Sequence, residues 1–321
     1  MSSAGGGSPA VSAGSRCPRV SLLYAAPFGF LALVVILMLW LDSGSLGLAA
    51  AAAQRLLGTQ AACKPVTVEP PPQQLATVVS GYWALPSNDR SVGEVRTDKD
   101  YASWLQHSLH IAAPALLFYG GPAEQQILST ARAGWPYPTR LVRRPLTEFH
   151  SAMLVPEEGW NATAEGYPPR PRALSLVWLE KLALLAVAAA ADPFGTEWFA
   201  WVDAALNLYR RRAPPCSPWP GNVTALAVLP RTACIYAHSD RGPDYIAASV
   251  LMVHRGAAEK VAAAFYASLA QCAAARNSTE CGDDQAVMRL ASEAYPDLFW
   301  AANGMPERRK ANWGLVFTSL V

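Results

Sequence analysis

Short apolar runs alternate with longer amphipathic stretches along this chain, and the alternation predicts its elements. Residues 75–80 (LATVVS), 115–119 (ALLFY), 139–142 (TRLV) and 197–202 (EWFAWV) are brief, rich in β-branched or aromatic residues, and bounded by Gly, Pro or charge, as strands are. Helix-length segments separate them. Residues 98–110 place Tyr101, Trp104, Leu105 and Leu109 at core spacing behind Asp98, which is expected to cap the helix. Residues 123–133 follow the second strand and 174–191 precede the fourth. The latter helix is apolar on nearly every face yet carries Lys181; Asp192-Pro193-Phe194-Gly195 ends it, because proline cannot continue the ladder and glycine accepts turn geometry. Residues 148–172, with Trp160, Tyr167 and several prolines, are predicted as a long loop. Farther on, 224–229 and 245–254 are predicted strands, Gly256 starts a turn, and 257–275 and 283–295 are predicted helices. Strand and helix in alternation predict parallel βαβ units, hence an α/β fold with a mostly parallel sheet flanked by helices.

The amino-terminal quarter reads differently. Residues 1–21 are rich in Gly, Ser and Ala and include Arg16 and Arg19 but no acid, which predicts a disordered tail. Residues 22–41 (LLYAAPFGFLALVVILMLWL) carry no charge, and as a helix they would extend roughly 30 Å, the hydrocarbon thickness of a bilayer. A transmembrane signal anchor is the preferred reading. A cleavable signal peptide is the rival, although its apolar core is typically about 7–15 residues. With both arginines before the span and Asp42 after it, the positive-inside rule places the tail in the cytosol and the rest in the lumen. Residues 42–74 read as a stem ending in Pro70-Pro71-Pro72, an extended spacer, and 75–321 as the lumenal domain.

Composition narrows the function. With 321 residues, 52% of them hydrophobic, and a mean hydropathy of +0.14, the chain can bury a sizeable core. A net charge of +2 argues against a dedicated nucleic-acid binder, which usually shows a basic stripe. No Walker or dinucleotide phosphate loop, no His-Glu-x-x-His and no zinc-like cysteine spacing occur. Three sequons, at Asn161, Asn222 and Asn277, fit a lumenal domain. So do five of the six cysteines, which follow the span; closeness in sequence suggests the pairs Cys216–Cys234 and Cys272–Cys281, leaving Cys63 in the stem to join two chains as a homodimer.

Asp203 carries the first chemical signal, because it leaves a buried strand at its carboxyl end, where open α/β sheets bind ligands. A carboxylate there is placed to hold Mn2+ or Mg2+, and a phosphate through it. The surrounding sequence, KLALL at 181–185, DPFGTEWFAWVDAALNLYRRRAPP at 192–215 and WP at 219–220, resembles the HtrL/YibB family. That family has a lysine-bearing helix, an Asn/Asp-Pro-Phe turn and a Trp-hydrophobic-Asp-Ala-Gly strand end, and is itself similar to GT-A nucleotide-sugar glycosyltransferases. The resemblance spans roughly 75–300 and is most specific over 178–219. It implies a GT-A-like, Rossmann-like domain in which Lys181 and Asp203 hold the donor diphosphate, Asp203 through the metal. Tyr82 and Trp83, after the first strand, would stack on the nucleobase, and Arg210 of Tyr209-Arg-Arg-Arg212 would meet phosphate. In Gly282-Asp283-Asp284-Gln285 the acidic pair opens a helix; Asp284 is the candidate base for the acceptor hydroxyl, with Asp283 beside it. A plain N-cap is the alternative role for either acid.

Three departures from the pattern stand out, and the first and last of them bear on metal use. Trp201 stands where the first Asp of the strand-end pair is expected, Ala205 replaces a Gly, and no His follows His254. The function implied is transfer of a sugar from a nucleotide-sugar to a glycan, glycolipid or glycoprotein, by a type II membrane protein of the Golgi or ER. The alternative is a non-catalytic lumenal carbohydrate-binding or partner protein on a degenerate transferase fold.

Overall fold

The structure is a computed structural model and describes residues 75–85, 97–155, 157, 171–204, 206, 209–210, 214, 218–220, 223–238, 246–275 and 281–302. The chain separates into units Met1–Thr59 and Gln60–Val321, and every described residue belongs to the second. The tail, the apolar span 22–41, the stem with Cys63, the loop residues Trp160 and Tyr167, Cys216, Arg211, Arg212 and all three sequon asparagines lie outside the described residues.

Seven strands form one mixed sheet: β1 (Ala76–Tyr82), β2 (Ala115–Tyr119), β3 (Thr139–Arg143), β4 (Trp198–Val202), β5 (Cys234–His238), β6 (Ile246–His254) and β7 (Phe299–Ala301). Their order is β3-β2-β1-β4-β6-β5-β7, with β1 parallel to both β2 and β4 and only β6 running against its neighbours. The mostly parallel α/β sheet expected from the sequence is therefore present. From β1 the chain builds outward through β2 and β3, then returns to lay β4 on the other side of β1. The strand order reverses between β1 and β4, so a crevice opens at their carboxyl ends.

Strand alternation divides the core. Phe199 and Trp201 join Val79, Leu251 and Val253 on one face; Trp198, Ala200 and Val202 join Val78, Val250 and Met252 on the other. Because both faces are covered, β4 is buried at all five positions, which is why it reads as a continuous apolar run. Helices α1 (Asp98–Ser108) and α2 (Pro122–Arg132) cover Tyr82, Ala115 and Leu117. Helices α4 (Arg172–Leu179), α5 (Lys181–Ala191), α7 (Ala258–Ala274) and α8 (Asp284–Ala294) pack on the Trp201 face, beside the single-turn α3 (His150–Leu154).

Four expectations are corrected. The helix foreseen over 174–191 is two helices, α4 and α5, meeting at 42°. At the joint, the fully buried carboxylate of Glu180 accepts the backbone N–H groups of His150 and Ser151, at 2.9 Å each, and the hydroxyls of Ser151 (2.9 Å) and Tyr266 (3.1 Å). Capping the free amino end of α3 in this way satisfies a charge that would otherwise be costly to bury. Thr97, not Asp98, caps α1, in a reciprocal box with Asp100; Asp98 instead accepts the Tyr82 hydroxyl at 2.7 Å. Residues 224–229 are not a strand, since Val223–Ala227 is a short helix, α6; the place beside β6 is taken by Cys234–His238, buried at Cys234, Ile235, Tyr236 and Ala237 and paired on both sides. Finally, Cys234 is a free thiol within the core rather than half of a disulfide, and burial pushes its pKa up. The Cys272–Cys281 bridge is formed, with a Cα separation of 5.8 Å, and ties α7 to the start of α8.

Among the described residues no single helix is long and apolar enough to cross a membrane.

Candidate functional site

A cleft opens where the strand order reverses, enclosing about 730 Å³ with its open mouth included. Gly81, Tyr82 and Trp83 line it from the end of β1, Asp203 and Ala204 from the end of β4, and Lys181 from the first turn of α5. Trp178, Trp201, Tyr101 and Arg210 complete its sides.

Local sequence sets each wall. Trp83 folds back over its own strand, and a Cβ at Gly81 would overlap its ring. Its indole N–H donates to the Arg144 carbonyl at 2.8 Å, and its edge meets the Phe149 ring. Tyr82, held by Asp98, lies against Tyr101 with ring centroids 5.5 Å apart. Both aromatics are thus at the cleft, as expected, but are nearly buried and pinned by their own hydrogen bonds. Arg210 lines the cleft with its guanidinium 4.3 Å from the centre of the Trp104 ring, a stacked arrangement suited to arginine.

The floor is ionic. Lys181 is 4% exposed, and its ammonium lies 2.8 Å from Asp284 Oδ2 and 3.0 Å from Asp203 Oδ1. It also donates to the Ala248 carbonyl of β6 at 3.0 Å. Asp284 Oδ2 is buried and accepts no hydrogen bond, so its link to the ammonium is one of charge. Burial alone would favour loss of its proton, but the two carboxylates outweigh burial and hold its pKa above the ordinary value. Asp284 is pushed the other way from the usual carboxylate: burial raises its pKa, Lys181 offsets part of the rise, and the charges of Asp283 and Asp203 add to it.

Of the three acids, one faces the cleft. Asp203 is a third exposed at its side chain, whereas Asp284 is 6% exposed, stands behind Lys181 and does not line the cleft. Asp283 is the N-cap of α8, accepting the Gln285 N–H at 3.0 Å, so the bland role suggested by its helix-start position is the one observed. Lys181, Asp203 and Asp284, which lie far apart in sequence, are brought together; Asp283, Tyr82, Trp83 and Arg210 surround them without joining the ionic cluster.

Sequence reasoning missed the part played by Trp201. Residues two apart in an extended chain face the same side, and here the Trp201 indole N–H donates to Asp203 Oδ1 at 2.7 Å. The one available signal was the substitution itself, a large donor-bearing ring where an acid is expected. It also missed Glu180, whose only signal was a carboxylate within an apolar helical run.

The donor set does not suit Mn2+ or Mg2+. Asp203 Oδ1 already accepts an indole N–H and faces an ammonium, and Asp284 Oδ1 accepts the Gln285 N–H at 2.9 Å. Hard divalent cations need several oxygen ligands. Among the described residues no three His, Cys, Asp or Glu side chains are grouped to hold a metal. His254 stands beside Trp198, at the other end of β4.

Fold and site together define an α/β protein with an aromatic-walled, ionic-floored cleft at the switch point of its sheet. The chain matches no protein-family model, and no curated protein is similar to it.

Proposed function

We propose that this protein is a nucleotide-sugar-dependent glycosyltransferase on a GT-A-like domain, anchored in the secretory pathway by its apolar amino-terminal span. The observation that carries the reading is the coincidence of the cleft with the reversal of strand order, furnished with one exposed carboxylate, one arginine and several aromatic rings. Aromatic rings suit a nucleobase or sugar face, and an arginine suits a diphosphate. The Cys272–Cys281 disulfide agrees with an oxidising lumen, and the resemblance of 178–219 to the HtrL/YibB family points the same way.

In this reading Arg210 holds the diphosphate and Asp203 acts as base. The acceptor hydroxyl oxygen bonds to the anomeric carbon while the bond from that carbon to the diphosphate oxygen breaks. The electron pair leaves with the diphosphate beside Arg210, and the hydroxyl proton passes to Asp203. Asp284 takes no direct part; it fixes Lys181, and Lys181 fixes Asp203.

One observation favours a second reading, a binding protein without turnover. The Trp201 indole and the Lys181 ammonium both engage Asp203 Oδ1, so that oxygen is already occupied. The test is calorimetric titration of the full-length protein in detergent with UDP, GDP and CMP, followed by a coupled assay for nucleotide release from the matching sugar nucleotide. A transferase binds one of these nucleotides and releases it from its sugar conjugate. Arg210→Ala then weakens binding, and Asp203→Asn keeps binding but abolishes release. Binding without release selects the second reading, and no binding to any nucleotide rejects the transferase.

A further inference from the structure

We infer that the Lys181 ammonium is the resident cation of this site, filling the space between Asp203 and Asp284 that a divalent metal would occupy, so that the cleft receives its anionic ligand without metal. The part concerning the ligand rests on the reading of the cleft given above; the part concerning the cation stands on geometry alone.

Lys181 is the first residue of α5, immediately after the Glu180 joint, and the bend there separates it from the line of α4. Its Nζ is within 3.0 Å of both carboxylates and of the Ala248 carbonyl. Both carboxylates lie at ion-pair distance and the Ala248 carbonyl accepts a hydrogen bond, so the two acids neutralise the charge of the ammonium. It therefore serves the two acids rather than a phosphate. Trp201 strengthens the exclusion. A carboxylate at that position would supply a second oxygen beside Asp203, whereas the indole presents a hydrogen, which repels a metal ion approaching Oδ1.

The arrangement also explains how an anion could approach a cleft whose floor carries an acid. Two uncompensated carboxylates beside the cleft would repel a diphosphate at short range in a site of reduced dielectric. Lys181 offsets that charge from behind, leaving Arg210 to make the direct contact. The ammonium thus acts as a fixed counter-charge, supplied by the chain and not exchanged with solvent.

The experiment is a Mn2+ titration of the full-length protein in detergent, followed by the electron paramagnetic resonance of the free aquo ion. Wild type should leave the signal unchanged. Lys181→Ala retains both acids around an ammonium-sized gap and should acquire a Mn2+ site, which Lys181→Arg, preserving the charge, should not. In parallel, UDP, GDP and CMP are titrated in EDTA and in Mn2+, and affinity for the bound nucleotide should be the same in both. Mn2+ binding by wild type that disappears in Asp203→Asn overturns the inference. So does a nucleotide that binds only with Mn2+, an outcome that leaves the nucleotide reading intact. If no nucleotide binds, the nucleotide reading fails, and Mn2+ binding by wild type still decides the place of the cation, whether or not Lys181→Ala folds.

Discussion

Two basic side chains are buried at opposite ends of the same parallel strands, and they are held in opposite ways. Arg132, at the amino ends of β2 and β3, donates to the carbonyls of Leu109, Ile111, Ala113 and Tyr137 and to the Thr139 hydroxyl. It closes the loops there with uncharged acceptors, and burial pulls its pKa down to about 9. Lys181, at the carboxyl end of β4, is held by two full charges that push its pKa up despite burial. The first arrangement consumes every donor and faces inward, where it can only support the fold. The second leaves one acid, Asp203, open to a cleft. The amino ends of the strands are thus a place of support and the carboxyl ends a place of chemistry, as the topology of open α/β sheets implies.

The sharpest way to break this contrast is Lys181→Met. Removing one partner of a buried ionic cluster costs about 3–5 kcal/mol. The loss should depend on pH. Asp284 already has a folded pKa above its ordinary 3.8, and without Lys181 it loses the charge that offsets part of that rise. A carboxyl raised in the folded state favours folding while protonated and loses that contribution as pH rises through its folded pKa. Urea midpoints should therefore show a larger deficit at about pH 7.5 than at about pH 5; equal deficits would deny that Asp284 faces the ammonium.

Arg132→Lys probes the other end. A lysine cannot reach all five acceptors, and each buried carbonyl left unpaired costs about 1–3 kcal/mol. Nucleotide affinity should stay unchanged, and a change in it would erase the division between the two ends.

Trp201→Phe keeps the ring and removes one hydrogen bond to Asp203. Because that carboxylate is a third exposed, the expected stability loss is about 1 kcal/mol, measured by denaturant titration.

The smallest effect belongs to His110, which stacks on Trp135 and lies beside the Ala131 carbonyl near Arg132. Burial lowers its pKa from 6.5, with the Ala131 carbonyl opposing and Arg132 adding to the fall. A histidine depressed in the folded state supports folding above its unfolded pKa and withdraws that support as pH falls through 6.5 toward the folded value. His110→Phe should flatten that limb of the melting profile; a curve identical to wild type would remove His110 from the account.

Much of this arrangement can be read before the structure. β2 and β4 announce themselves because burial on both faces makes each an apolar run, and β1 shows the same pattern with only small polar residues, Thr77 and Ser80, within it. Asp203 and Lys181 stand out as polar residues at the end of one such run and inside an apolar helix. What the sequence does not carry is distance. Nothing in the order of residues says that 181, 203 and 284 meet, so the sequence shows Lys181 without its two acidic partners. Residues 224–229 show why local pattern can mislead: a short apolar run suits a strand or a helical turn, and the neighbouring position in the sheet goes to Cys234–His238.

The closure of β1 against β4 has a consequence in time. Ser80 bonds to the Val202 carbonyl, a partner 122 residues later in the chain. Synthesis proceeds at roughly 5–20 residues per second, so β1 waits roughly 6–24 seconds for its second neighbour. During that interval β2 and β3 can already pair on its other side, leaving β1 as the raw edge of a half-built sheet. An unpaired edge of this kind is a template for any strand that arrives first. The nascent chain is therefore most vulnerable to aggregation between the emergence of β3 and that of β4, and a chaperone that shields it then would act on β1.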